Sequence, residues 1–237
     1  MHGMTQIVTQ RSANPGRQMA IASQPRPEPR DALDLLEQFG SNVAIERDHE
    51  ILSQGDRAEY CYKILSGCVR RVKLLEDGRR QVGEFLMAGD LFGFEALDTH
   101  DFSAEAVSDV VLRRYPRRMV EALAESQFAF ARRLRDMAAV SLRLAHGRLM
   151  LLGRKTASER IASFVLEMAE RLPGRNDRMV ELPMSRTDMA DHLGLTIETV
   201  CRVLAVLRRE GTIAVARGGV EIRDRAGLEL MASEPRH

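Results

Sequence analysis

Residues 185–211, SRTDMADHLGLTIETVCRVLAVLRREG, decide how the rest of the chain is read. Ala190 lies in a first helical segment, Gly194 at a break, and Val200 and Val203 in a second segment. Two helices that cross at a short turn need this layout. A small residue lets them approach, a glycine takes the positive backbone angle, and the valines fill the crossing. Thr196 is placed to cap the second helix. The pattern predicts a helix-turn-helix, with a plain helical hairpin as the alternative. TIAVARGGVEIRD follows at residues 212–224. Its apolar alternation around Gly218 and Gly219 predicts a hairpin wing.

In a helix-turn-helix the second helix enters the major groove of DNA. Glu198, Cys201 and Arg202 stand at i, i+3 and i+4, so they share one helical face. Arg202 is suited to paired hydrogen bonds with O6 and N7 of guanine, and Glu198 to accepting from the N4 amine of cytosine. Ordinary readings stand beside these. Glu198 also suits a helix N-terminus as an acid favoured by the dipole, and Arg202 suits a solvated surface. An acid near phosphates is repelled unless a base compensates it, which favours base reading for Glu198.

Moving towards the N-terminus, residues 127–152 hold a helical register uninterrupted by proline. Phe130, Leu134, Met137, Ser141, Leu144, Arg148 and Leu151 recur at the four-and-three spacing of a coiled-coil seam. A second stripe, Leu134, Ala138, Leu142, Ala145, Leu149 and Leu152, runs beside it. One stripe is expected on the chain's own body and the other on a second subunit, so we read this as a dimerisation helix, with the seven seam residues as its dimer residues. Burial of both stripes within one chain is the alternative. From about Val43 to Tyr115 the pattern becomes short apolar runs punctuated by Gly55, Gly67, Gly78, Gly89 and Gly93. YKILSG, CVRRVKLL, RQVGEFL, AEAVSD and VVLRRY read as strands, with EDGRR a hairpin turn, and together they predict a double-sheet jelly roll. DALDLLEQF before them has helical spacing. TASERIASFVLEMAERL, after Gly153, reads as the first helix of the DNA-binding unit. Residues 1–30, with Pro15, Pro25, Pro27 and Pro29, read as a disordered leader.

The expected class is therefore α+β. The divisions are a leader (1–30), a jelly-roll domain (31–126), which a family resemblance described below implies is a cyclic-nucleotide-binding-like sensor domain, a dimerisation helix (127–152) and a winged helix-turn-helix domain (153–237).

Bulk properties narrow the function. The 237 residues carry 35 basic and 34 acidic side chains, a net charge of +1, so any nucleic-acid contact must be local. No apolar run reaches the roughly 18 residues of a membrane span, and the start lacks a secretory apolar segment. A cytoplasmic protein with no membrane partner is expected. Three cysteines, Cys61, Cys68 and Cys201, argue against a disulfide scaffold. The six histidines show no metal-ligand spacing, so no metal is expected. A cupin-like enzyme needs clustered histidines and a carboxylate, which are missing, and no catalytic activity is expected.

The order of jelly roll, long helix and winged helix-turn-helix, with MAGDLFGFEAL (residues 87–97) and TIETVCRVLAVLRREG (residues 196–211), resembles the Crp/Fnr family of bacterial transcription regulators. The resemblance implies a homodimer that binds double-stranded DNA at a palindromic operator and works with RNA polymerase, mainly as an activator. Ile197, Glu198 and Arg202 match the apolar residue, Glu and Arg of the Fnr branch, which implies TTGA and TCAA half-sites. Cys201 departs from the serine usual there. Ser185, Arg186, Thr196 and Thr199 match positions where family members touch phosphates.

The signal is a separate question. Cyclic-nucleotide binders of the family carry GEL and an Arg-Ser pair, whereas this chain has Gly93-Phe94-Glu95 and Phe102-Ser103, with Ala145 where the helix offers a hydroxyl. Phenylalanine cannot neutralise a phosphate, so cyclic AMP is not expected. Residues 1–60 hold no cysteine to ligate an iron–sulfur cluster. His100 and His146 each stand alone as haem ligands. The combination is similar to the FixK subgroup, which implies control of low-oxygen respiration or nitrogen-fixation genes without a cofactor. An effector-gated regulator, with haem or a small ligand near Phe94, Phe102 and Ala145, is the alternative. Cys201 is also a redox candidate, because a nearby helix N-terminus and guanidinium favour the thiolate; a small groove-side residue without redox role is the other reading. Cys61 and Cys68 are expected to be buried and inert.

Overall fold

The computed structural model describes residues 32–94, 98–172 and 178–233. The leader at 1–30 and Glu95 therefore lie outside the described residues. A 3-10 helix, Ala32–Phe39, occupies the stretch with helical spacing and buries Leu36. Eight strands follow: β1 (Ser41–Ile45), β2 (Glu50–Leu52), β3 (Tyr60–Ser66), β4 (Cys68–Leu74), β5 (Arg80–Met87), β6 (Leu91–Phe92), β7 (Ser103–Ala106) and β8 (Val110–Pro116). They form two four-stranded sheets, β1-β8-β3-β6 and β2-β7-β4-β5. The pairings are antiparallel, as in a jelly roll. Ile64, Val69, Leu86, Phe92, Val110 and Leu112 fill the space between the sheets.

Local chemistry sets the strand ends. EDGRR makes the β4–β5 turn, where Leu75 N donates to Arg79 O at 2.9 Å and Gly78 has φ +81°. Gly67 alone links β3 to β4, at φ +90°, and a Cβ there would lie 2.3 Å from Asp109 O, so no other residue fits. AEAVSD is shorter as a strand than its pattern suggests. β7 stops at Ala106 because Ser108 and Asp109 turn their side chains on other backbone donors, Cys68 N at 3.1 Å and Arg47 N at 3.0 Å.

After Pro116 the chain turns helical ten residues earlier than the seam suggested, in α1 (Arg117–Ser126). The signal was present, since proline before a run of good helix formers is a helix start. The long helix α2 (Phe128–Arg154) has 27 residues and spans about 40 Å. No helix among the described residues is long and apolar enough to cross a membrane.

The two stripes of α2 divide differently from the sequence expectation. Phe130 is fully buried, and Leu134 and Met137 pack beside it on Leu36, Cys61, Tyr115 and Val120. Arg148 donates from Nη1 to Gly83 O, and Leu151 packs on the main core. Ser141 and Leu144 are exposed. The seam residues Phe130, Leu134, Met137, Arg148 and Leu151 are thus taken by the chain's own body, a correction to their reading as a face for a second subunit. Periodicity finds both stripes but cannot rank them, because the roll that claims one of them is distant in sequence. The outward residues are the middle of the second stripe: Leu142 is 59% and Leu149 67% exposed, with Ala138 and Ala145 exposed beside them, while Leu134, which both stripes share, and Leu152 are half-buried.

Beyond α2 come α3 (Ala157–Arg171), β9 (Met179–Glu181), α4 (Arg186–Leu193), α5 (Ile197–Arg209), β10 (Ile213–Ala216), β11 (Gly219–Ile222) and α6 (Arg225–Ala232). β10, β11 and β9 make a three-stranded wing sheet. β9 is too short for its pattern to stand out, and α6 follows the cap of Asp224, which accepts from Gly227 N at 2.9 Å. Thr156 and Glu159 form a capping box at the start of α3. Ile161, Phe164, Met168, Met189, Leu193 and Val200 share one apolar cluster with Cys68, Val72, Val82 and Phe85 of the roll. The C-terminal unit therefore sits against the roll's β4–β5 face.

Candidate nucleic-acid interface

The α4–turn–α5 segment is built as its residues require. Ser185 caps α4 in a second capping box: its Oγ accepts from Asp188 N at 3.0 Å, and Asp188 accepts from Ser185 N at 3.0 Å. Gly194 ends α4 at φ +61°, and Leu195 N returns to Ala190 O at 3.0 Å. Thr196 Oγ1 then accepts from Thr199 N at 3.2 Å and caps α5. Ala190, Leu193, Val200, Val203 and Leu204 are buried at the crossing.

This burial leaves one face of α5 free. Glu198, Cys201 and Arg202 are exposed, with Ile197 at 42% beside them. The structure thus brings these three sequence-predicted residues together on one open face. Among the described residues Arg202 has no side-chain hydrogen bond or ion pair. The Glu198 backbone N–H and the Thr196 hydroxyl hold the Glu198 carboxyl below its usual range, so at neutral pH it is an acceptor. The predicted phosphate contacts occupy the two helix starts, Ser185 and Arg186 on α4, Thr196 and Thr199 on α5. The Ser185 and Thr196 hydroxyls cap the helices, and the Thr199 hydroxyl accepts from Thr196 Oγ1 at 3.1 Å; Arg186 Nη1 rests on Met189 Sδ at 3.1 Å. Arg217, exposed at the wing tip, and Arg208 and Arg209, at the end of α5, are further cations that the motif reading did not single out. An exposed polar face flanked by helix starts and cations suits duplex DNA.

The interface is braced from behind by residues no local pattern marks. Arg160 donates from Nη2 to Leu152 O at 2.8 Å and from Nη1 to Leu193 O at 2.9 Å, tying the end of α2 to the turn. Asp188 is 2% exposed, and burial works to raise its carboxyl. Ser185's hydrogen bonds and the Arg70 and Arg80 charges more than offset this and bring it below its usual range. His192, 4% exposed, donates from Nδ1 to Val82 O at 3.2 Å and lies between the Phe85 and Phe164 rings. Burial, helped by the Arg148 charge, lowers its pKa to about 4. An unfolded histidine titrates near 6.5, so the unfolded chain takes up a proton first as pH falls. Stability present above pH 6.5 is lost down to about pH 4, on the order of 3 kcal/mol. Thermal melts at pH 7 and 4.5 are expected to differ more for the parent than for His192→Gln; equal differences would show that another group titrates.

Among the described residues, Arg71, Phe92, His100 and Phe102 of the roll line a space of about 20 Å³. The Phe102 ring lies under the Arg71 guanidinium at 4.7 Å and near Lys73 Nζ at 5.4 Å. Phe94 packs instead with Leu36 and Tyr115, and Ala145 is exposed on α2, so the three residues read as an effector site are not gathered. Cys61 and Cys68 are buried, and burial pushes the Cys68 thiol up to about 12; Cys201 is exposed. No group of three potential metal ligands occurs among the described residues.

A family model described as a Crp-like helix-turn-helix domain matches residues 159–231, and one described as a cyclic nucleotide-binding domain matches residues 42–127. The chain is 38% identical over 208 residues to the nitrogen fixation regulation protein FixK of Bradyrhizobium diazoefficiens, covering 86% of this chain and 87% of that protein. It is 43% identical over 199 residues to FixK of Azorhizobium caulinodans, covering 82% and 80%. The solved structure of FixK2 from Bradyrhizobium japonicum is similar with a TM-score of 0.79 and 40% identity, over 83% of this chain and 99% of that one.

Proposed function

The chain belongs to the Crp/Fnr family of transcription regulators and is FixK-like, with a helix-turn-helix DNA-binding domain, and from this we propose that it reads palindromic TTGA/TCAA operators as a homodimer. The observation that carries the reading is the open α5 face of Glu198, Cys201 and Arg202. Each subunit lays α5 in a major groove, two recognition helices about 34 Å apart, with Arg202 on guanine and Glu198 on cytosine. Ser185, Arg186, Thr196 and Thr199 meet the phosphates. The outward stripe of Ala138, Leu142, Ala145 and Leu149 pairs the two α2 helices. The relatives' names point to nitrogen-fixation genes as targets; low-oxygen respiration genes, activation through RNA polymerase and a cytoplasmic location belong to the same proposal. The protein acts by binding rather than by catalysis. Phe102, stacked under Arg71 at 4.7 Å, supports action without cyclic AMP.

Binding titrations on a TTGA/TCAA duplex, its scrambled counterpart and a cyclic-AMP-type site test the reading. Preference for the first without added nucleotide is expected; equal affinity for all three defeats it.

Redox control at Cys201 extends the same reading. The Cys201 thiolate attacks peroxide, the O–O bond breaks, and water leaves after protonation, giving a sulfenic acid at the DNA face. Further oxidation adds negative charge opposite the phosphates. Peroxide is expected to weaken operator binding by the parent and to spare Cys201→Ser. If the serine protein loses affinity to the same degree, the switch lies elsewhere.

A further inference from the structure

The helix-turn-helix unit is fastened to the roll by polar anchors as well as by apolar contact. Arg70 of β4 and Arg80 of β5 both reach Asp188 of α4, at 3.3 and 2.8 Å. Arg80 also pairs with Asp191 at 2.9 Å, and Glu105 braces Arg70 at 2.7 Å. At the other end of α4, His192 donates to Val82 O at 3.2 Å. At the end of α3, Arg171 donates to Phe85 O at 2.9 Å and pairs with Asp90 at 2.6 Å.

These anchors do something that the shared apolar core does not. Burial of Phe85 against Phe164 resists separation, but hydrophobic contact has no direction, and two such surfaces can turn on each other. Charge-assisted hydrogen bonds from a guanidinium fork do have direction. Asp188 is also the third residue of α4, one turn from Ser185 and Arg186. A bare carboxylate there would repel a phosphate, and Arg70 and Arg80 neutralise it.

We infer that Arg70 and Arg80, in the roll and away from the base-reading face, are positioning residues for DNA recognition: they set the angle at which α5 is presented. They thereby set the spacing between half-sites that the dimer accepts. The inference rests on the palindrome reading above. Each base pair of spacer turns one half-site by about 34° relative to the other, so spacing reports that angle.

The test uses the full-length parent and its Arg80→Gln, Arg80→Lys and Asp191→Asn variants, on duplexes whose spacers are optimal or one or two base pairs shorter or longer. The parent is expected to prefer its optimal spacer by tenfold or more. Arg80→Gln and Asp191→Asn are expected to flatten this to threefold or less while still preferring the correct half-site bases. Arg80→Lys, which keeps the charge but not the fork, should recover part of the preference. Full spacing preference in Arg80→Gln overturns the inference, as does tighter binding on every spacer, which would make the contact a brake. Parallel loss of base and spacing preference also overturns it, because that is the mark of general damage. Should Arg80→Gln fail to fold, Asp191→Asn, at a side chain 24% exposed, decides alone. A parent indifferent to operator sequence brings down the palindrome reading and this inference together; a discriminating parent matched by its variants removes only the inference.

Discussion

Replacing Arg202 by alanine is expected to lower affinity for the TTGA/TCAA palindrome by about 2–6 kcal/mol, because each of two guanine contacts carries about 1–3 kcal/mol. That corresponds to a loss of roughly 30-fold to 10⁴-fold. The side chain is exposed and makes no other bond among the described residues, so truncating it leaves nothing unpaired in the free protein. Surface substitutions of this kind usually change stability by less than about 0.5 kcal/mol. The loss should be confined to the guanine: affinity for scrambled duplex, and its salt dependence, should change little because phosphate contacts remain. Fluorescence titrations on the operator and on a duplex altered only at that guanine separate the outcomes. A variant that still distinguishes the two duplexes would take guanine reading away from Arg202.

The second large effect is expected from placing glutamates at Leu142 and Leu149 together. Both leucines are more than half exposed on the outward stripe, so the subunit's own fold loses little. Across a paired seam the same change sets four carboxylates facing one another in a narrow contact. The double variant is expected to sediment as a monomer with an unchanged circular-dichroism spectrum. Operator affinity should fall by about 10²–10⁴-fold, the usual gain from joining two binding units. Leu134→Glu should behave differently and unfold the roll, because Leu134 packs on the core that holds Phe130. A Leu142/Leu149 variant that remains dimeric would move the seam to another face.

The contrast between Leu134 and Leu142 shows where reading from sequence stops. Both lie on the second stripe of α2, and Leu134 lies on the seam as well. The face that meets the roll depends on Leu36, Cys61 and Tyr115, which lie far away in the chain. Arg148 is the sharper case. It occupied a seam position in the heptad pattern, yet it turns inward to a carbonyl 65 residues away, and burial there lowers its pKa. The helix-turn-helix, by contrast, was legible almost residue by residue. Ala190, Gly194 and Thr196 each answer to neighbours within one or two turns, and the structure places them as the motif requires.

The chain's own order of residues was enough to place most of its helices, α1 and α6 excepted, its turns, a resemblance to the family and the open face of α5. The helices, turns and open face follow from contacts between residues a few positions apart, where propensity, capping and periodicity act directly, whereas the family rests on resemblance. Only tertiary structure decided which residues of α2 face outward, that Phe102 stacks under Arg71, and that Arg70 holds Asp188 across 118 residues. The reason is physical: a pairing between distant segments leaves no periodic trace in either of them, and it exists only once the sheets and helices have brought the two side chains together.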